Sequence, residues 1–376
     1  MLKIPFNKPS ISKRELDYVS ECLLGPKHSG DGPFTQRCND AFAALGLGRV
    51  LLTTSCTDAL EMAALLLEIG PGDEVILPSF TFVSSANAFA LRGATLRFAD
   101  SDPDNPNISP DDIEALVTER TKAIVVVHYA GIACDMDRIV AIASSRGIAI
   151  VEDAAQGIDS FHRGRPLGTI GDIGAISFHE TKNLSSGEGG LIIVRDQTLR
   201  QRAEIIREKG TNRSAFFRGE VDKYGWVDIG SSFLPSDVTA AYLLAQVERL
   251  RDIQDRRLAI WARYRDNLSD VFAANGITLP TIPDWATNNA HMFYGVCADL
   301  TQRQRLIEGL RAAGILAVSH YISLHSSPFF ARFHDSRPLP HSDRFTDTVL
   351  RFPLFADLVD DDIDTVSQQV MDILRA

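Results

Sequence analysis

Between residues 49 and 194 the chain repeats one pattern: a short run of apolar, often β-branched positions, then a stretch with apolar residues at helical spacing. The runs 50–53, 74–77, 95–98, 123–127, 148–152, 174–178 and 190–194 read as seven strands. The first linker predicts a helix over 58–69, with Leu60, Ala63, Ala64 and Leu67 on one face, and Pro71-Gly72-Asp73 turns the chain back. The runs are continuously apolar rather than alternating. Strands of that kind are buried on both faces, so the pattern predicts a mostly parallel sheet covered by helices, an α/β fold.

After about residue 240 the pattern changes. A long helical stretch, 241–270, leads into a proline-punctuated region with strand-like pieces near 291–296 and 316–321. The expected division is an N-terminal arm and large domain over 1–240, with a helix at 12–24, and a smaller C-terminal α+β domain over 241–376. Asp360, Asp361 and Asp362 read as the polar first turn of a last helix.

The 376 residues are 45% hydrophobic and 23% charged, the balance of a globular protein. A net charge of −11 argues against a nucleic-acid partner, because no basic excess is available to neutralise phosphates. Cys22, Cys38, Cys56, Cys134 and Cys297 stand far apart without a Cys-x-x-Cys pair, as expected of reduced thiols in the cytoplasm. Lys3, Pro5 and Lys8 interrupt any signal-like run, and no apolar stretch is long enough for membrane insertion.

Three chemical signals fall near strand ends, where ligands of open parallel sheets bind. Ser55-Cys56-Thr57-Asp58 stands between a strand and a helix, where free backbone N–H groups suit a phosphate. A plain helix cap by Ser55 or Thr57 satisfies the same donors and, taken alone, is the commoner case. Asp153, in Val-Glu-Asp-Ala-Ala-Gln, ends a strand, and Lys182 follows another in Ser-Phe-His-Glu-Thr-Lys-Asn. A lysine amine that takes an aldehyde and an aspartate that keeps a pyridine nitrogen protonated are what pyridoxal 5'-phosphate requires. Each residue alone is ordinary: most lysines are solvated, and strand-end aspartates often cap helices. Phe82, also at a strand end, suits stacking on a flat ring, although core packing is the usual fate of a phenylalanine.

With these residues the chain resembles the DegT/DnrJ/EryC1/StrS sugar aminotransferases over essentially its whole length. The resemblance runs through segments 78–83, 127–131, 151–156, 177–183 and 187–190. It implies the fold of aspartate aminotransferase (PLP fold type I), a homodimer with shared active sites, and amino transfer from L-glutamate. Segments 29–35, 207–214 and 216–224 are most like members that aminate C4 of dTDP-4-keto-6-deoxy-D-glucose. That likeness implies dTDP-4-amino-4,6-dideoxy-D-galactose as product, and a lipopolysaccharide pathway such as enterobacterial common antigen or O-antigen.

Carried over by resemblance, Lys182 holds the cofactor and Asp153 pairs with the pyridine nitrogen. Gln156 bonds the ring hydroxyl, Phe82 stacks on the ring, and Thr57, Asp58 and Ser177 hold the phosphate. His320, Tyr321, His325 and Lys209 are the expected substrate contacts. Some relatives add an asparagine from the neighbouring subunit where Leu234 stands here, leaving Ser231 or Ser232 to replace it. Ser323 stands where a proline is usual, so a less stiffened loop is expected.

Rival readings remain. A dehydratase of the family has histidine in place of the lysine, so Lys182 favours transfer. Another acceptor sugar, UDP-linked or with a 3-keto group, fits the same residues. A dinucleotide-binding turn is not matched by Gly46-Leu47-Gly48, which precedes its strand and lacks the third glycine. His320, His325, His334 and His341 lack metal-ligand spacing, so no metal is expected. A non-catalytic regulator on this fold is the remaining alternative.

Overall fold

The structure, a computed structural model, describes residues 2–375. Seven strands form the large sheet: β1 (Val50–Thr53), β2 (Glu74–Pro78), β3 (Thr95–Ala99), β4 (Thr121–Val127), β5 (Ala149–Asp153), β6 (Ile173–Ser177) and β7 (Gly190–Val194), in the order β1-β7-β6-β5-β4-β2-β3. β2, β3, β4, β5 and β6 run parallel; β7 is antiparallel to both of its neighbours. The expected α/β fold with a mostly parallel seven-stranded sheet is present.

Period-two alternation explains why the strands look uniformly apolar. Leu52, Ile76, Ile124, Ile150 and Ile176 face one core, and Leu51, Val75, Val125, Val151 and Ala175 face another. Both faces are dry at the centre of the sheet, while the edge strand β3 carries Thr95 and Arg97 on a more open side.

A smaller sheet carries β8 (Phe293–Val296), β9 (Val318–Ser319) and β10 (Val349–Phe352) in the antiparallel order β8-β10-β9. It packs with Leu250–Ala274 and Asp360–Arg375 around Tyr264, Phe272, Phe293 and Phe352. The expected single helix over 241–270 is two helices, Asp237–Glu248 and Leu250–Ala274, parted at Arg249. The division expected at 240/241 falls inside the first of them. Leu243, Leu244, Val247, Leu250 and Ile253 still belong to a core of the large sheet, whereas Ile260 and Trp261 belong to the small one. We place the join within Leu250–Ala274. The first helix of the sheet is also shifted, to Cys56–Leu66, because Ser55 caps it.

Candidate active site

The strands β2, β4, β5 and β6 end at one edge of the sheet, and β1, also antiparallel to β7, ends there too. At that edge lies a cavity of about 780 Å³ lined by both domains. Thr57, Phe82, Asp153, Gln156, Ser177 and Lys182 line it from the large domain, and His320 and Tyr321 from the small one.

Close backbone approach builds the floor. Gly190, opening β7, pairs with Thr53 and Ser177. A Cβ there would come within 2.5 Å of the Cys56 backbone nitrogen, so glycine is required where the strand passes the helix start. Ser55 Oγ accepts the Asp58 N–H at 3.0 Å, and Thr57 Oγ1 meets Ser84 Oγ at 2.8 Å. Ser177 Oγ accepts the His179 N–H at 3.3 Å, which leaves its own proton to donate.

Asp153 is only 5% exposed. Ser85 Oγ donates to its Oδ2 at 2.6 Å, and the Ala155 N–H to its Oδ1 at 3.1 Å. These contacts fix the carboxylate plane without supplying a counter-cation. The neighbouring Glu152 points the other way, accepting from the Gly168, Ile170 and Gly171 N–H groups and contacting His128 Nε2 at 2.9 Å.

Lys182 sits in a turn where its N–H donates to His179 O at 2.9 Å. Its position is set by the next residue: Asn183 donates to Gln254 and to the Asn289 carbonyl, and its Oδ1 meets His291 Nδ1 at 2.8 Å. Burial pushes the Lys182 amine below the ordinary lysine range; Cys56 and Asp153 oppose that shift and Arg351 adds to it.

Gln156 Oε1 accepts the Ala130 N–H at 2.6 Å, leaving its Nε2, 3.3 Å from the Tyr321 hydroxyl, as the free end. Asn289 holds the Gln156 carbonyl at 2.7 Å. His320 stacks on Tyr321 with ring centroids 3.5 Å apart, and its Nδ1 meets the Tyr129 hydroxyl at 2.7 Å. Phe82 is 54% exposed at the cavity wall beside Tyr321, an aromatic surface available to a planar ring.

Three expected residues lie outside the lining. The Asp58 N–H is taken by Ser55, and its carboxylate accepts from the Thr54 hydroxyl. His325 is turned away, with Nδ1 2.7 Å from Ser79 Oγ and Nε2 3.4 Å from Asp343. Lys209 is exposed, its N–H on Ser231 O. The loop expected to be loose at Ser323 is tied instead: Ser323 N–H donates to Thr346 Oγ1 at 3.0 Å, and the two hydroxyls are 2.8 Å apart. Ser85, Asn289, His291 and Arg351, which sequence reasoning passed over, are gathered at the site by residues distant in the chain.

Segments 29–35 and 207–214 meet at a second cavity of about 420 Å³, whose lining shares no residue with the first. There Arg207 pairs with Asp31 at 2.7 Å, and Asp237 accepts the Phe34 and Thr35 N–H groups, closing the start of Pro33–Phe42.

An amine opposite a fixed carboxylate, an exposed aromatic wall and hydroxyls at a helix start fit pyridoxal 5'-phosphate as a donor set. Comparison with known proteins agrees. The model of the DegT/DnrJ/EryC1/StrS aminotransferase family matches residues 9–371. The chain is 34% identical to the spore coat polysaccharide biosynthesis protein SpsC of Bacillus subtilis, across 99% of this chain and 97% of that one. Its fold matches the aminotransferase TlmJ of Streptoalloteichus hindustanus with a TM-score of 0.90, at 32% identity and 99% of both chains. It matches the PLP form of Spr1654 from Streptococcus pneumoniae with a TM-score of 0.90, at 26% identity, over 99% and 98% of the two chains. The chain belongs to the DegT/DnrJ/EryC1/StrS aminotransferase family and is a PLP-dependent sugar aminotransferase.

Proposed function

We propose that the chain moves the amine of L-glutamate to C4 of dTDP-4-keto-6-deoxy-D-glucose, giving dTDP-4-amino-4,6-dideoxy-D-galactose and 2-oxoglutarate. The reading is carried by one observation, Lys182 and the fixed carboxylate of Asp153 lining a single cavity. The sugar rests on the likeness in segments 29–35, 207–214 and 216–224. Surface-polysaccharide synthesis in the cytoplasm is the proposed setting, supported by the name of the related SpsC. No helix among the described residues is long and apolar enough to cross a membrane.

When bound, pyridoxal 5'-phosphate supplies an electron sink conjugated to the carbon that exchanges its amine. Lys182 Nζ would anchor it and, once freed, would move protons for both halves of the exchange: as base at Cα of the amino donor in the first half, and as acid at C4 of the acceptor sugar in the second. Burial favours the neutral form of that amine, which is the form that accepts a proton. Asp153, held by Ser85 and the Ala155 N–H, keeps the proton on the pyridine nitrogen. Gln156 offers Nε2 to the ring hydroxyl, and Phe82 covers a ring face. Thr57 and Ser177 hold the phosphate with N–H groups of the Cys56–Leu66 start. His320 and Tyr321 bound the sugar side.

A homodimer with shared sites completes this reading. Phe217, Tyr224, Val227 and Ile229 are exposed and Trp226 is 84% exposed, an apolar set that a partner subunit would cover. Lys209, exposed on the large domain, would then reach the sugar across that interface.

Incubation with glutamate and dTDP-4-keto-6-deoxyglucose, followed by assignment of the C4 configuration, tests the proposal. Formation of the galacto amino sugar is expected. Turnover only with UDP-linked or 3-keto sugars would keep the chemistry and replace the acceptor.

A further inference from the structure

Besides Lys182, one arginine in the cavity lining pairs with no carboxylate among the described residues. Arg351 lies on β10, the central strand of the small sheet, opposite Tyr294 and Val318. Val349 packs with Phe80 and Tyr129, whereas Leu350 and Phe352 pack into the small-domain core. Strand alternation therefore turns Arg351 toward the side of Tyr129, where it lines the same cavity as Lys182.

Its donors are mostly unused. Nη2 reaches the Ser319 carbonyl at 3.2 Å, Nε has no partner, and the guanidinium lies 4.8 Å above the Phe6 ring. Among the described residues no carboxylate pairs with it, and the side chains that feel its charge are Tyr129, Tyr321, His291, His320 and Lys182. Arg257 shows what a structural arginine does here. It also lacks a carboxylate, but its Nε and Nη2 donate to the carbonyls of Ala290 and His291 at 3.1 and 2.7 Å.

A half-buried guanidinium whose Nε is shut off from water gains from an anion, and a planar fork of free donors matches a carboxylate or phosphate in two-point fashion. Burial disfavours the cation further, so an arriving anion would recover what the empty cavity lacks. We infer that Arg351 binds an oxyanion of the substrate, a carboxylate or a phosphate, beside the reacting amine of Lys182. The inference rests on the transfer reading above, in which the donor brings two carboxylates and the acceptor a diphosphate. It makes Arg351 a specificity-determining residue.

The test uses the cofactor-loaded enzyme, its Arg351→Gln variant and its Arg351→Lys variant. Each is titrated calorimetrically with glutarate, a dicarboxylate without an amine, and with dTDP and UDP. In the Gln variant one arm should weaken about tenfold to a hundredfold, the worth of a charge-assisted hydrogen bond, with a smaller loss in the Lys variant. Weakening of glutarate names the donor carboxylate as the bound group; weakening of the nucleotides names the diphosphate. Should the Gln protein not load with cofactor, the Lys variant is read on the same arms. Unchanged affinity in both arms, a wild type that binds neither probe, or a loss confined to cofactor affinity would overturn the inference. A visible cofactor band in the same samples keeps that outcome separate from failure of the Lys182 and Asp153 reading.

Discussion

Ser85 Oγ donates to Asp153 Oδ2 at 2.6 Å, and both side chains are buried at the floor of the cavity. The hydroxyl holds the carboxylate in place without neutralising it, which a cation there would do. Ser85→Ala should therefore leave cofactor binding nearly intact while slowing proton transfer, by about tenfold for the loss of one hydrogen bond to a charged group. Single-turnover kinetics with glutamate, followed by the cofactor absorbance, read this. A rate equal to wild type would show that the serine is only filling space.

Asp153→Asn keeps the shape and lets the Ser85 hydroxyl reverse its hydrogen bond, so the fold should persist. The charge that holds the pyridine proton is gone, and turnover should fall by orders of magnitude. Steady-state kinetics beside a circular dichroism spectrum check both halves. Undiminished turnover would remove Asp153 from the proposed chemistry.

Lys182 supplies a pH dependence. Its burial favours the uncharged amine, and the uncharged amine is the nucleophile. The direction follows: cofactor capture by the apo-protein should speed up as pH rises, then level off at a lower pH than for an exposed lysine. Stopped-flow absorbance across a pH series, with N-acetyl-lysine amide as reference, measures the difference. A plateau at or above that of the reference would contradict the lowered value.

Gly190→Ala tests the close approach of β7 to the helix start. The added methyl would meet the Cys56 nitrogen at 2.5 Å and the Ser55 carbonyl carbon at the same distance, both backbone atoms with little freedom. The helix start must shift, so cofactor affinity should drop about tenfold or more, with a smaller loss of thermal stability. Fluorescence titration of the apo-protein with cofactor reports the affinity.

How much of this was readable from residues alone depended on whether the signal was local. Apolar runs marked the seven strands to within two residues, because two-sided burial keeps polar positions few and near the strand ends or on the edge strand β3. Lys182 and Thr57 stood out because each follows a strand within a few residues, Asp153 because it ends one, and strand ends of a parallel sheet converge. Ser85, Asn289 and Arg351 gave no such signal. Ser85 meets Asp153 across 68 residues and Asn289 meets Gln156 across 133, contacts that only the folded chain creates. Asp58 and His325 mark the other limit, since a resemblance places a residue near the site but does not aim its side chain. Ser55 claims the Asp58 N–H, and Ser79 turns the His325 ring away. Two helices were read as one for a related reason: the break falls at Arg249 without any glycine or proline to mark the place.

The identity of the anchoring amine is open to direct chemical proof. The apo-protein is loaded with pyridoxal 5'-phosphate, reduced with borohydride, digested and mapped by mass spectrometry, with Lys182→Ala as control. The phosphopyridoxyl mass should appear on Lys182 in the wild type and vanish from the control, along with the visible absorbance. Labelling of a different lysine, or full turnover by the alanine variant, would contradict the account at its foundation.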